Sequence, residues 1–219
     1  MQGKRSKHFL ILSLSLACMM AANVSQADIL YSALPDQSGG SDLNEYIEAD
    51  DFTLPAPEQI TQIKFWSFQD SAADYAGSIA WSINTDSGGV PGSSVASGSV
   101  SPPGVATGTS AFDLNEFSYT LAVNASLAPG TYWVLLHNGP TNTVPSTSFY
   151  WEWSNADAGN SQSQDLFGSN SPWTGNFAEF AMQLQGVSAP EPGSMLLLGT
   201  GLACLWFARV RSKSHRLRG

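Results

Sequence analysis

The stretch Ile60-Thr61-Gln62-Ile63-Lys64-Phe65-Trp66-Ser67-Phe68 decides the fold. Apolar and polar residues nearly alternate along it, and a period of two sends successive side chains to opposite faces of an extended strand. The pattern recurs downstream. Ile79, Trp81 and Ile83 alternate with Ser78, Ala80 and Ser82, and Phe117, Tyr119, Leu121 and Val123 repeat it. Tyr132 to His137 is apolar on both faces, which predicts a central strand. Ser148 to Trp153 is aromatic and strand-like, and Phe180, Met182 and Leu184 mark a last alternating strand.

Turn chemistry separates these runs. Asn84-Thr85-Asp86-Ser87-Gly88-Gly89-Val90-Pro91-Gly92 and Ala128-Pro129-Gly130 are rich in the residues that reverse a chain. Between Asp28 and Gly186 no run of helical period is long enough for a crossover helix. The expected fold is therefore all-β, an antiparallel two-sheet sandwich of jelly-roll-like form. Gly92 to Gly108, rich in Ser, Gly, Val and Pro, reads as one weak strand between long loops.

Charge is distributed unevenly. All eighteen Asp and Glu lie between Asp28 and Glu191, and Lys64 is the one base in residues 28–192, which gives that region a formal charge of −17. So acidic a surface repels phosphate backbones, and nucleic acid is excluded as a partner. The remaining bases sit at the two ends. Both cysteines, Cys18 and Cys204, fall in the apolar terminal segments, so the central region can build neither a disulfide nor a cysteine metal site.

The ends read as processing signals. Lys4, Arg5 and Lys7 precede the apolar Phe9 to Ala22, and Ser25-Gln26-Ala27 ends in a small residue before Asp28. This is the layout of a secretory signal peptide over residues 1–27, with signal peptidase cutting between Ala27 and Asp28. The β domain spans 28–186, and a linker follows at 187–194. Met195 to Ala208 is free of charge and belongs to a hydrophobic transmembrane helix at 195–210, which precedes a basic tail at 211–219. Lys and Arg stay cytoplasmic, so the acidic domain lies outside.

Pro190, Glu191 and Pro192, then the apolar span, then Arg209 and Arg211, resemble the PEP-CTERM sorting signal of Gram-negative bacteria. The resemblance implies an exosortase-type partner that recognises the signal and removes the tail. The protein then passes from a membrane-anchored intermediate to the cell surface or an exopolysaccharide matrix. Ala49-Asp50-Asp51-Phe52-Thr53-Leu54, Ile60 to Trp66, the Asp86–Gly92 turn and Leu127 to Val134 also resemble secreted jelly-roll domains of bacterial surface proteins. That second resemblance implies a sandwich and no activity.

Catalytic signatures are missing. The G-x-S-x-G elbow, the P-loop, G-x-G-x-x-G and H-E-x-x-H do not occur. A histidine triad would have to pass through His137, whose plainer role is a strand-end residue satisfied by backbone groups. The expectation is a non-enzymatic protein without a cofactor. Two binding readings stand beside it. Asp42, Asn44, Glu48, Asp50 and Asp51 supply the oxygen ligands that a structural calcium takes, or else form a solvated acidic loop. Trp151, Trp153 and Trp173 could stack on sugar rings, as a carbohydrate-binding module for exopolysaccharide requires, or pack in the core. Trp173, in a loop of Ser, Pro, Gly and Asn, is the one expected to be most exposed.

Overall fold

The computed structural model describes residues 27–155, 160–165, 172–176 and 178–188. Most of the signal peptide, the motif Pro190, Glu191 and Pro192, the hydrophobic segment and the basic residues Arg209 and Arg211 lie outside the described residues. Among the described residues no helix is long and apolar enough to cross a membrane.

The chain runs through β1 (Asp28–Ala33), β2 (Gly40–Asp42), β3 (Tyr46–Leu54), β4 (Glu58–Gln69) and β5 (Ile79–Asp86). It continues through β6 (Pro91–Val100), β7 (Val105–Ala111), β8 (Leu114–Leu127), β9 (Gly130–Asn138) and β10 (Phe149–Ser154). It closes with β11 (Gln162–Asp165), β12 (Thr174–Gly175), β13 (Glu179–Phe180) and β14 (Met182–Ser188). Two sheets result, as the alternation predicts. One has eight strands built around β4, and the other has six in the order β12-β11-β3-β9-β5-β6. Hairpins such as β5-β6 and β7-β8 stay within a sheet, whereas β3-β4, β4-β5, β8-β9 and β9-β10 cross between them.

β4 carries the opening stretch, and its pairing explains the imperfect alternation there. Ile60 and Ile63 are three residues apart, yet both are fully buried. β14 pairs Gly186 with Ile60 and Gln185 with Gln62, while β8 pairs Ala125 with Ile60 and Ala122 with Gln62, so at the same point the extra residue lies on β4 against β14 and on β8 against β4. Thr61 is therefore an extra residue against β14, and the phase of β4 resets there so that both isoleucines face inward. Gly186 must approach closely at this point, since a Cβ there would sit 2.4 Å from the Gln59 carbonyl oxygen.

The core between the sheets is aromatic. Phe65 stacks on Tyr119 at 5.3 Å and meets the edge of Trp151 at 6.2 Å, and Trp151 stacks on Phe180 at 4.6 Å. Trp151 is fully buried and donates its indole N–H to the Ala181 carbonyl at 2.9 Å. β4 is not half-buried along its C-terminal half, for Trp66 and Phe68 on its other face are covered too. Lys64 lies 4.6 Å over the Trp66 ring, and Phe112 packs edge-on to Phe68. β9 is central as expected, with Val134 and Leu136 facing the core and Trp133 and Leu135 on the opposite face.

Two boundaries change. Gly92 to Gly108 holds parts of two strands, β6 and β7, rather than one weak strand. Both are mostly exposed, so their sequence carries no apolar period. β14 runs to Ser188 and still pairs Val187 with Gln59 and Ser188 with Glu58, so the sheet extends beyond the expected domain end at Gly186.

Truncating a ring at the centre of this packing removes its transfer energy and leaves a cavity. Phe65→Ala is expected to lower the unfolding free energy by about 3–5 kcal/mol, measured by urea denaturation followed through tryptophan fluorescence.

Candidate ligand cleft

The acidic stretch expected to be a loop is largely strand β3. Its alternation turns Glu48 and Asp50 to the same face as Phe52 and Leu54, between the sheets, while Ala49 packs outside with Trp133 and Leu135. β11 pairs Ser163 with Glu48, and β12 pairs Thr174 with Ser163, so the three residues form one polar row across the sheet. Where this row faces β2 of the other sheet, a cleft of about 360 Å³ opens. Tyr46, Glu48, Ser163 and Asp165 line one wall, with Thr174 and Asn176 beside them, and Ser41 and Asp42 line the other.

Glu48 is buried at the base of the cleft. Its Oε2 lies 2.6 Å from the Ser163 hydroxyl and 2.8 Å from the Asn176 amide nitrogen, and the same hydroxyl lies 2.7 Å from Asn176 Oδ1. The three contacts close a ring. With Glu48 ionised, the amide fills one contact and the hydroxyl can donate to only one of its two acceptors, so one contact lacks a proton. A protonated Glu48 fills all three. Burial accordingly pushes the Glu48 carboxyl up to about 7, against lowering hydrogen bonds from Ser163 and Asn176. Burial raises Asp42 as well, although its Oδ1 accepts the Asn44 N–H at 2.7 Å.

The five residues expected to hold calcium occupy three separate environments. Asp42 and Glu48 line the cleft. Asn44 is buried and braces loops, donating to the Thr147 carbonyl at 2.6 Å and accepting from Asn138 at 2.8 Å. Asp50 and Asp51 instead join Glu179, and among the described residues these three form a carboxylate group whose oxygens lie within 4.8 Å of one another. Asp50 there accepts the backbone N–H of Phe180 at 2.7 Å and of Asp51 at 3.1 Å, and Tyr31 donates its hydroxyl to Glu179. Burial and Glu179 push Asp50 well above the usual carboxylate range.

The tryptophans correct the expectation of exposed stacking faces. Trp151 is sealed in the core. Trp153 is half-buried, packs against the core and donates to Ser41 Oγ at 3.1 Å. Trp173 is half-buried against Ala49, Trp133 and Leu135 rather than fully exposed. His137 is fully buried, with ring nitrogens 3.0 Å from the Gly139 carbonyl and 3.1 Å from the Asn44 carbonyl. Sequence reading missed Ser163, Asp165, Thr174 and Asn176, which approach Glu48 only through strand pairing.

Residues 188–212 match the model of the PEP-CTERM protein-sorting motif. The match includes Pro190, Glu191, Pro192, Arg209 and Arg211, and it supports a surface protein sorted through its C-terminus by an exosortase. No curated protein matches the chain. It is similar to a solved structure of the cysteine protease and lectin-like domains of Cwp84, a surface layer associated protein of Clostridium difficile. The identity is 14% and the TM-score 0.42, over 66% of this chain and 33% of that one, so this chain spans about a third of that protein's length. A likeness of that size carries no functional argument.

Glu48 gives the cleft a pH signature. Its folded-state carboxyl titrates near 7 against an ordinary 4.5, so the native state holds the proton longer than the unfolded chain does. The stability it contributes is complete at acid pH and falls as pH rises from about 4.5 to about 7. Glu48→Gln keeps a donor in the ring at every pH. Urea denaturation across that window should show a shallower decline than wild type, by up to about 3 kcal/mol, with the residual slope due to other raised carboxyls.

Proposed function

We propose that the chain is a non-enzymatic exported surface protein. Signal peptidase releases the domain at Asp28, and an exosortase-type enzyme processes the Pro190-Glu191-Pro192 region while the apolar segment holds the protein at the membrane. The domain then resides at the cell surface or in the extracellular matrix. The motif match at residues 188–212 carries this reading, and it begins on the last residue of β14. β1 pairs Asp28 with Gly186, so the two ends of the described domain lie side by side. The burial of His137 between two carbonyls supports the absence of catalysis. Intact-mass analysis of surface protein from wild-type cells should find the Arg-rich tail removed. Glu191→Ala, or loss of the sorting enzyme, should leave it in place, and a wild-type protein that retains Arg218 defeats the reading.

The cleft favours a more specific role, the binding of a saccharide of the surrounding exopolysaccharide. Its walls offer hydroxyls, an amide, carboxyls and the half-buried ring of Tyr46, the mixture that hydrogen-bonds and stacks on a polyhydroxylated ring. On a glycan array, Tyr46→Ala and Asn176→Ala are expected to weaken binding about tenfold each, while Trp173→Ala leaves it unchanged. An array without signal for the wild type rejects this role and leaves the sorting reading intact.

A further inference from the structure

A second acidic site lies on the opposite face of the eight-stranded sheet. β4 pairs Phe68 with Glu116 of β8 and with Tyr150 of β10, so Glu116, Phe68, Tyr150 and Glu152 share the face turned away from the core. Glu152 is fully buried there and Glu116 is 4% exposed. The segment between β1 and β2 folds over them. Asp36 donates its N–H to the Trp153 carbonyl at 3.3 Å, and the Gly39 carbonyl accepts from Trp153 at 2.9 Å. Gln37, at φ 59°, directs its backbone N–H to Glu152 Oε1 at 3.1 Å and its side-chain amide to Glu116 Oε2 at 3.2 Å.

These donors do not suffice. Glu152 Oε2 is buried and, among the described residues, meets no hydrogen-bond donor. The neighbour within hydrogen-bond reach of this side chain is Glu116, a second acceptor, and Asp36 adds a third negative charge nearby. Burial, then Glu116, push the Glu152 carboxyl up to about 8. Among the described residues no base offsets the cluster, for Lys64, the one lysine there, lies over Trp66. The Asp50–Asp51–Glu179 group differs on this point, for backbone N–H groups and the Tyr31 hydroxyl already serve Asp50 and Glu179.

We propose that Glu116 and Glu152, beneath the Asp36–Gln37 segment, bind a hard divalent cation of the calcium type, with Glu152 Oε2 as its buried anchor. A single shared proton would join the two glutamates but offset one charge of three. A divalent cation bridges both carboxylates and can also draw in Asp36 and the Gln37 side-chain oxygen after rotation of the amide. The cation would thereby lock the segment that joins β1 to β2.

The test is calorimetric titration of CaCl2 into the chelator-treated exported protein, together with its thermal melting. Wild type should bind calcium and melt several degrees higher with it. Glu152→Gln and Glu116→Gln should each weaken binding roughly tenfold or more and lose the melting shift, while Glu48→Gln in the cleft keeps both. Should Glu152→Gln fail to fold, Glu116→Gln carries the comparison. A wild type indifferent to calcium overturns the proposal and leaves a carboxyl pair sharing a proton. Binding that survives both substitutions, or is lost only with Glu48→Gln, overturns it as well.

Discussion

Everything in this sandwich hangs on β4 being hydrogen-bonded along both edges. β8 follows it from Glu58 to Gln69, while β14 and then β10 divide its other side. Its inward Phe65 meets aromatic side chains from β8 and β10, so the core forms only if these ladders are in register. The Thr61 bulge is the constraint that permits this. Without the extra residue, Ile60 and Ile63 would point to opposite faces, and one of them would leave the core.

A domain with one lysine cannot neutralise its buried acids by ion pairing. The fold instead meets them with neutral donors: backbone N–H groups for Asp50, a hydroxyl and an amide for Glu48, a tyrosine hydroxyl for Glu179. Around Glu48 the three contacts are all filled only while the carboxyl keeps its proton. The result is a set of acids with raised proton affinity in a protein built for the outside of a cell.

The sheet class was legible because burial on one face imposes period two, and residues 60–68 display it. The bulge was present in the sequence only as the three-residue spacing of Ile60 and Ile63, which alternation alone cannot assign to a cause. β6 and β7 were hidden because strands mostly exposed to water need no apolar period; their order comes from the ladders with β5 and β8. Trp151 and Trp153 misled for the opposite reason. They share one face of β10, Trp151 in the aromatic core and Trp153 beside Gly39, whereas Tyr150 and Glu152 take the other face. The cleft was illegible altogether. Glu48 and Ser163 are 115 residues apart, Glu48 and Asn176 are 128 apart, and no local spacing marks them as neighbours.

β14 is flanked by β1 on one side and β4 on the other, and the sorting signal leaves directly from its end. A pull along the axis of this strand meets a ladder on each of its edges. The ladder bonds cross that axis, so they are loaded in shear and share the force, rather than being unzipped one by one. β14 is thus clamped on both edges. An edge strand pulled sideways would peel, whereas β14 is held between two neighbours.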